Sequence, residues 1–401
     1  ALGSFLALIL LIFKDILFFK FLNIPTGKEV VANKIYYLMV GSFFINFLSL
    51  NFHSCIISME KFSFYAFITI IESLLKLLSV VILVKLTDRL FFYSLFLLLS
   101  SILVFVILYI YCKKEIYFCK FTLVKKKEEY KELVGFVSWN VFGSFGVIIS
   151  AQGVPLVANI FYGVIINGSL SIAGQLNALI GTVTSNFQKA FSPYLMKNFV
   201  SSNSIADEIF VLTKVSVIFY SIVALPLIFY ANSFLITWLN KVPPYVEGIV
   251  KISAVISLCE VLAGPLWMLI QAEGNIKVYQ VSVLLVMIFS VPSSYFLLYL
   301  GFDIYDVWYM LLFLNVLLLF VRVCFVHLII ELNFFVRYLK TVVLPAITFL
   351  TVSSFVVFLI SFLIENRSIL DLVFLNLLNI VFIIFFAHFL LLDKYQRQGI
   401  Y

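Results

Sequence analysis

Apolar residues run along this chain in blocks of about 20, separated by short polar breaks, and a block of that length is what a helix needs to cross a bilayer. On that rule the pattern predicts about twelve membrane helices, near residues 1–19, 35–57, 62–84, 90–112, 136–160, 169–190, 211–232, 248–270, 279–300, 305–330, 341–364 and 369–392. The breaks carry turn and charge signals, among them Asn23-Ile24-Pro25, Thr87-Asp88-Arg89, Pro243-Pro244, Glu273-Gly274-Asn275 and Gly301-Phe302-Asp303. The expected fold class is therefore all-α, a polytopic membrane protein.

Composition strengthens that reading. Of 401 residues, 64% are hydrophobic and 12% charged, against roughly 45–50% and about 25% in soluble domains. The formal charge of +7 suits a membrane protein that obeys the positive-inside rule and requires no nucleic-acid partner. Most of the Lys and Arg bias comes from one polar loop holding Lys113, Lys114, Lys120, Lys125, Lys126, Lys127 and Lys131 beside Glu115, Glu128, Glu129 and Glu132. Placing that loop in the cytoplasm puts both ends of the chain there too. It also divides the chain into an N-terminal bundle of about four helices (1–112), a basic linker (113–135), a bundle of about six helices (136–330) and two further helices (341–392).

The chemistry of soluble enzymes is missing from the motifs. Gly27-Lys28-Glu29 lacks the upstream glycine and the hydroxyl residue of a phosphate-binding loop, and neither GxSxG nor HExxH occurs. The five cysteines have no CxxC spacing and mostly lie in or beside apolar runs, so they read as buried packing residues. No metal site is expected.

Polar residues inside the spans carry the remaining information, because a charge at the centre of a bilayer costs at least roughly 2.5–3.5 kcal/mol on insertion scales. Glu72 and Lys76 stand at i and i+4 on the third span, where mutual neutralisation outweighs a substrate or proton role. The eighth span puts Glu260, Gly264, Trp267 and Gln271 on one stripe. Glu260 reads equally as a proton or cation site and as the partner of a base on another helix. Arg322 on the tenth span can meet phosphate oxygens in a bidentate contact, though snorkelling to the interface outweighs that reading. Asn140, Gln152 and Asn159 on the fifth span, and Gln175, Asn177, Asn186 and Gln188 on the sixth, make those helices too polar for lipid. Interhelical hydrogen bonds and the lining of a path for sugar hydroxyls explain them equally well. Prolines at 155, 193, 226, 265, 292 and 345 suit helices that bend during alternating access.

Several stretches together resemble the Wzx-type polysaccharide flippases. They are Leu22-Asn23-Ile24-Pro25, Ile71-Glu72-Ser73-Leu74-Leu75-Lys76-Leu77, Ser138-Trp139-Asn140-Val141-Phe142-Gly143-Ser144, Gln152-Gly153, Ala173-Gly174-Gln175-Leu176-Asn177, Ser185-Asn186-Phe187-Gln188-Lys189-Ala190, Ser192-Pro193 and the run from Gln271 to Gln280. That family belongs to the multidrug/oligosaccharidyl-lipid/polysaccharide superfamily. The resemblance implies fourteen helices in two bundles around a central cavity, with this chain matching from the third helix onward. The start at Ala1, already inside an apolar segment, fits a chain that begins within a longer protein.

The implied activity is that of a transporter, not an enzyme. It moves undecaprenyl-pyrophosphate-linked oligosaccharide across the bacterial inner membrane for O-antigen, capsule or exopolysaccharide assembly. The implied partners are that lipid-linked cargo, the bilayer and other polysaccharide assembly proteins. No cofactor is implied, only coupling to a proton or sodium gradient, with Glu260 the first residue to examine. A multidrug and toxin extruder of the same superfamily is the first alternative, and a membrane glycan polymerase or ligase the second. The extruder would want an unmatched acid in the first bundle, where Glu72 already faces Lys76. The polymerase or ligase would want a long exterior loop, and none is present.

Overall fold

In a computed structural model, residues 10–12, 14, 29–83, 88–115, 127–198, 205–330, 333–362 and 369–391 are described, and no strand occurs among them. The chain divides into two compact units, Ala1–Lys125 and Lys126–Tyr401. The first contains α1 (Glu29–Ser58), α2 (Phe62–Leu83) and α3 (Arg89–Glu115). α3 packs along α1 and against α2, burying Ile56, Ile68, Val104, Leu108 and Cys112.

The second unit comprises α4 (Lys127–Tyr162), α5 (Val164–Asn198), α6 (Ile205–Phe229), α7 (Ala231–Leu239), α8 (Val246–Glu273), α9 (Lys277–Ile288), α10 (Ser290–Tyr299) and α11 (Ile304–Ile329). The short α12 (Phe334–Tyr338) passes through a π-helical turn, Leu339–Val343, into α13 (Leu344–Phe362), and α14 (Ile369–Phe386) ends in a second, Ala387–Leu391. α8 is the hub, packing on α5, α11, α6 and α7. Its apolar window is 61% buried and that of α6 is 56% buried, while the other candidate spans fall between 11% and 28%. A helix apolar on all sides belongs in such a position.

Ten stretches among the described residues are long and apolar enough to cross a membrane, where the hydropathy pattern predicts about twelve. Most of the predicted span 1–19 lies outside the described residues. The predicted span 169–190 is helical, inside α5, but its nine Asn, Gln, Ser and Thr side chains lower its hydropathy below that of a lipid-facing span. The predicted span 279–300 is interrupted at Phe289, where α9 gives way to α10.

Close packing of α4 against α9 and α10 depends on glycine. A Cβ at Gly143 would overlap the Gln280 amide, one at Gly146 would come within 2.8 Å of Leu284 Cα, and one at Gly153 within 2.6 Å of a Val291 methyl. Small residues of this kind let membrane helices approach closely where apolar burial supplies little drive. Elsewhere α11 starts with a capping box, in which the Asp303 carboxylate accepts from Ile304 N–H and Asp306 accepts from Asp303 N–H. The Tyr162 hydroxyl at the end of α4 donates to that Asp303 carboxylate at 2.9 Å, tying the two helix ends together.

Gly146→Ala should lower the thermal unfolding midpoint in detergent, because the added methyl meets Leu284 backbone and not a side chain that can swing away. Overpacking of this kind costs about 1–3 kcal/mol. Gly174→Ala, with nothing within 4 Å of the new Cβ, should be neutral or slightly stabilising. Equal midpoints for the two variants would contradict the close α4–α9 approach.

Candidate functional site

α8 carries its polar stripe where α9 and α11 come together. Arg322, on α11, donates from Nε to the Tyr279 hydroxyl at 2.5 Å. Tyr279 is buried, stacked on Trp267 of α8 at 5.1 Å and met edge-on by Phe325 of α11 at 5.6 Å. These contacts hold the guanidinium within the unit, so Arg322 does not depend on the interface for a partner. Its Nη groups make no hydrogen bond among the described residues.

Glu260, on the same face of α8 as Trp267, is exposed. It lies close enough to Arg322 to feel its charge, yet the two form no ion pair within 4 Å. A carboxylate and a guanidinium thus stand near each other without an ion pair, and the guanidinium keeps donors that match a planar oxyanion.

Below this pair the geometry is governed by Pro265. A proline inside a helix has no N–H to give to the carbonyl four residues earlier, which here is Val261. Gln188 of α5 reaches across and donates from Nε2 to that carbonyl at 3.1 Å. The neighbouring carbonyl, Leu262, accepts from the Tyr338 hydroxyl at 2.8 Å. Gly264 leaves the space Gln188 needs, since a Cβ there would overlap the amide.

The other predicted path residues divide by partner. Asn177 Oδ1 accepts from Ser257 of α8 at 2.7 Å, and Asn140 Oδ1 accepts from Gln280 of α9 at 2.9 Å. With Gln188, these side chains join helices. Gln152, Gln175 and Asn186 are exposed and Asn159 is half-buried, and none of the four makes a side-chain hydrogen bond among the described residues. Gln175, Thr182, Asn186 and Lys189 share one exposed face of α5, which explains how so polar a helix can belong to this fold.

In the first unit Glu72 and Lys76 form an ion pair at 2.6 Å. Sequence reasoning overlooked Tyr279 and Tyr338, the two phenols that hold Arg322 and the Leu262 carbonyl. Proline at 265 signals that the Val261 carbonyl is released, but not which distant donor serves it. Among the described residues no group of His, Cys, Asp and Glu could hold a metal ion.

The architecture defines a polytopic, all-helical membrane protein. No protein-family profile matches the chain, and no curated protein matches it either. Among solved structures it is similar to the lipid II flippase MurJ in its inward closed conformation, with a TM-score of 0.60 and 15% identity over 100% of this chain and 82% of that one. The likeness is one of fold, and it does not carry the Wzx-type assignment.

Gln188→Leu should destabilise the protein by about 1–3 kcal/mol, the cost of leaving a buried carbonyl unpaired. In a Pro265→Ala background, where residue 265 regains its N–H, the same substitution should cost much less. Thermal unfolding of the four proteins of this cycle checks the prediction, and additive effects would refute it.

Proposed function

We propose that this protein is a flippase that moves undecaprenyl-pyrophosphate-linked oligosaccharide from the cytoplasmic to the periplasmic leaflet of a bacterial inner membrane by alternating access. Its product feeds O-antigen, capsule or exopolysaccharide assembly. The observation that carries this reading is a fold shared along the whole chain with a protein whose cargo is a lipid.

Three features of the second unit support it. Arg322 is held at Nε by Tyr279 and keeps its Nη groups for the cargo's pyrophosphate. Exposed amides at Gln152, Gln175 and Asn186 suit sugar hydroxyls. Glu260, within electrostatic reach of Arg322, is the coupling site for a proton or sodium gradient. The multidrug reading is weaker because Glu72, the acid it would use in the first unit, is already engaged by Lys76.

Flipping of a fluorescent undecaprenyl-pyrophosphate oligosaccharide in proteoliposomes tests the proposal. Wild-type protein should accelerate flipping well above protein-free vesicles. Arg322→Leu should lose about tenfold or more, since a hydrogen bond to a charged group is worth about 1.5–3 kcal/mol. Arg322→Lys should retain part of the rate as a point charge without the fork. Glu260→Gln should remove the dependence on an imposed ion gradient. Efflux of organic cations without lipid movement would favour the extruder, and glycan elongation would favour the polymerase or ligase.

A further inference from the structure

The second unit holds a half-open cavity of about 290 Å³ that shares no residue with the site around Arg322 and Glu260. Its walls come from α5, the last third of α6, Tyr230, α7 and the middle of α14. No lining residue carries a charge, and most are aliphatic or aromatic. Small-molecule pockets run from roughly 300 to 1,000 Å³, so a cavity of this size suits one apolar chain and not a lipid with several.

Two hydrogen-bond acceptors in or directly behind this wall are short of a donor. Pro226 has no N–H for the carbonyl of Ile222, one turn earlier on α6, and both residues line the cavity. Gln188 serves the corresponding carbonyl at Pro265, but no side chain among the described residues does so for Ile222.

The second acceptor is on α14. Asn379 is fully buried, and its neighbours Asn376 and Ile380 line the cavity. From Nδ2 it donates at 3.2 Å to the hydroxyl of Tyr230, another lining residue. The Oδ1 of the same amide has no partner. Tyr230 cannot supply one, because its proton goes to the Val357 carbonyl of α13 at 3.3 Å. Asn379 lies ten residues into α14, a rise of roughly 15 Å, which is about half the hydrocarbon thickness of a bilayer. An acceptor at that depth has little water to turn to.

We infer that this cavity binds a single-chain neutral lipid whose head carries hydroxyl donors, as in a monoalkyl glycerol. The hydroxyls donate to the Asn379 amide oxygen and the Ile222 carbonyl, and the chain fills the apolar remainder. A charged head does not fit, since no cation lines the cavity to offset its burial. The site is therefore distinct from one for a pyrophosphate-linked cargo and does not rest on the function proposed above. Its occupant touches α6 and α14 together, two helices that already pack on each other.

Photolabelling of the full chain in proteoliposomes tests this, with a monodecylglycerol that carries a diazirine in its chain. Label should map to the lining segments of α6 and α14, and unlabelled monodecylglycerol should displace it. Its dimethyl ether keeps the shape without the donors and should compete about tenfold less well, the order expected when a buried acceptor is left unmatched. Decyl phosphate should compete no better than the ether. Val223→Phe fills the cavity and should cut labelling by about tenfold or more, with Leu179→Phe in its place where that variant does not fold. Pro226→Ala returns an N–H to the Ile222 carbonyl, and Asn379→Leu removes the amide. Each should narrow the preference for the hydroxyl lipid over its ether, and Pro226→Ala decides alone where Asn379→Leu does not fold. Equal competition by the lipid and its ether, stronger competition by decyl phosphate, or label spread evenly over all lipid-facing helices would each overturn the inference.

Discussion

A carbonyl released inside hydrocarbon has no water to turn to, and the central helix of this protein contains one by construction. Pro265 withholds an N–H from Val261, and Gln188 on α5 supplies the missing donor. Tyr338, on the short α12, donates to the neighbouring Leu262 carbonyl. Two helices distant in sequence are thereby pinned to α8 at one level, and α8 in turn is the surface against which α5, α6, α7 and α11 pack. Polar glue at a proline fixes register in a way that apolar contact alone does not. Leu against Leu in a bilayer is nearly equivalent to Leu against lipid.

The same constraint orders the ionisable side chains. Where a charge pair is in contact, as in Glu72 with Lys76, the span carries little net field. Where it is held apart, as in Glu260 and Arg322, the carboxylate and the guanidinium Nη groups remain available for exchange. The Tyr279 hydroxyl takes the Arg322 Nε, and its ring lies against Trp267 and Phe325.

Much of the fold was legible because hydropathy at a period of about 20 residues reports the solvent directly. It also finds α5, predicted near 169–190 and helical from Val164 to Asn198, although Asn, Gln, Ser and Thr bring that helix below the hydropathy of a lipid-facing span. It passes over the break at Phe289, because α9 and α10 are both apolar on either side. The glycines of α4 show a different limit. Gly143, Gly146 and Gly153 are visible in the sequence, but their meaning comes from Gln280, Leu284 and Val291, which lie more than a hundred residues away. The candidate site follows the same rule. Glu260, Arg322 and the amides stand out by residue type and depth, while Tyr279 and Tyr338 are indistinguishable in sequence from the chain's other tyrosines.

Depth and polarity thus nominate residues, and partners assign them. Asn140, Asn177 and Gln188 had the same claim to a transport path as Gln152, Gln175 and Asn186, since all six are amides on helices too polar for lipid. In the folded unit the first three are spent on Gln280, Ser257 and the Val261 carbonyl. Substituting any of them would disturb helix packing, and a loss of transport would then say little about cargo. The last three are exposed and make no such bond, so their amides remain available to bind without cost to the scaffold. Gln175 and Asn186 further lie in line with Thr182 and Lys189 along α5. Thr182 spends its hydroxyl on the Ala178 carbonyl, whereas the amides of Gln175 and Asn186 stay uncommitted among the described residues and offer several weak, equivalent contacts along one face.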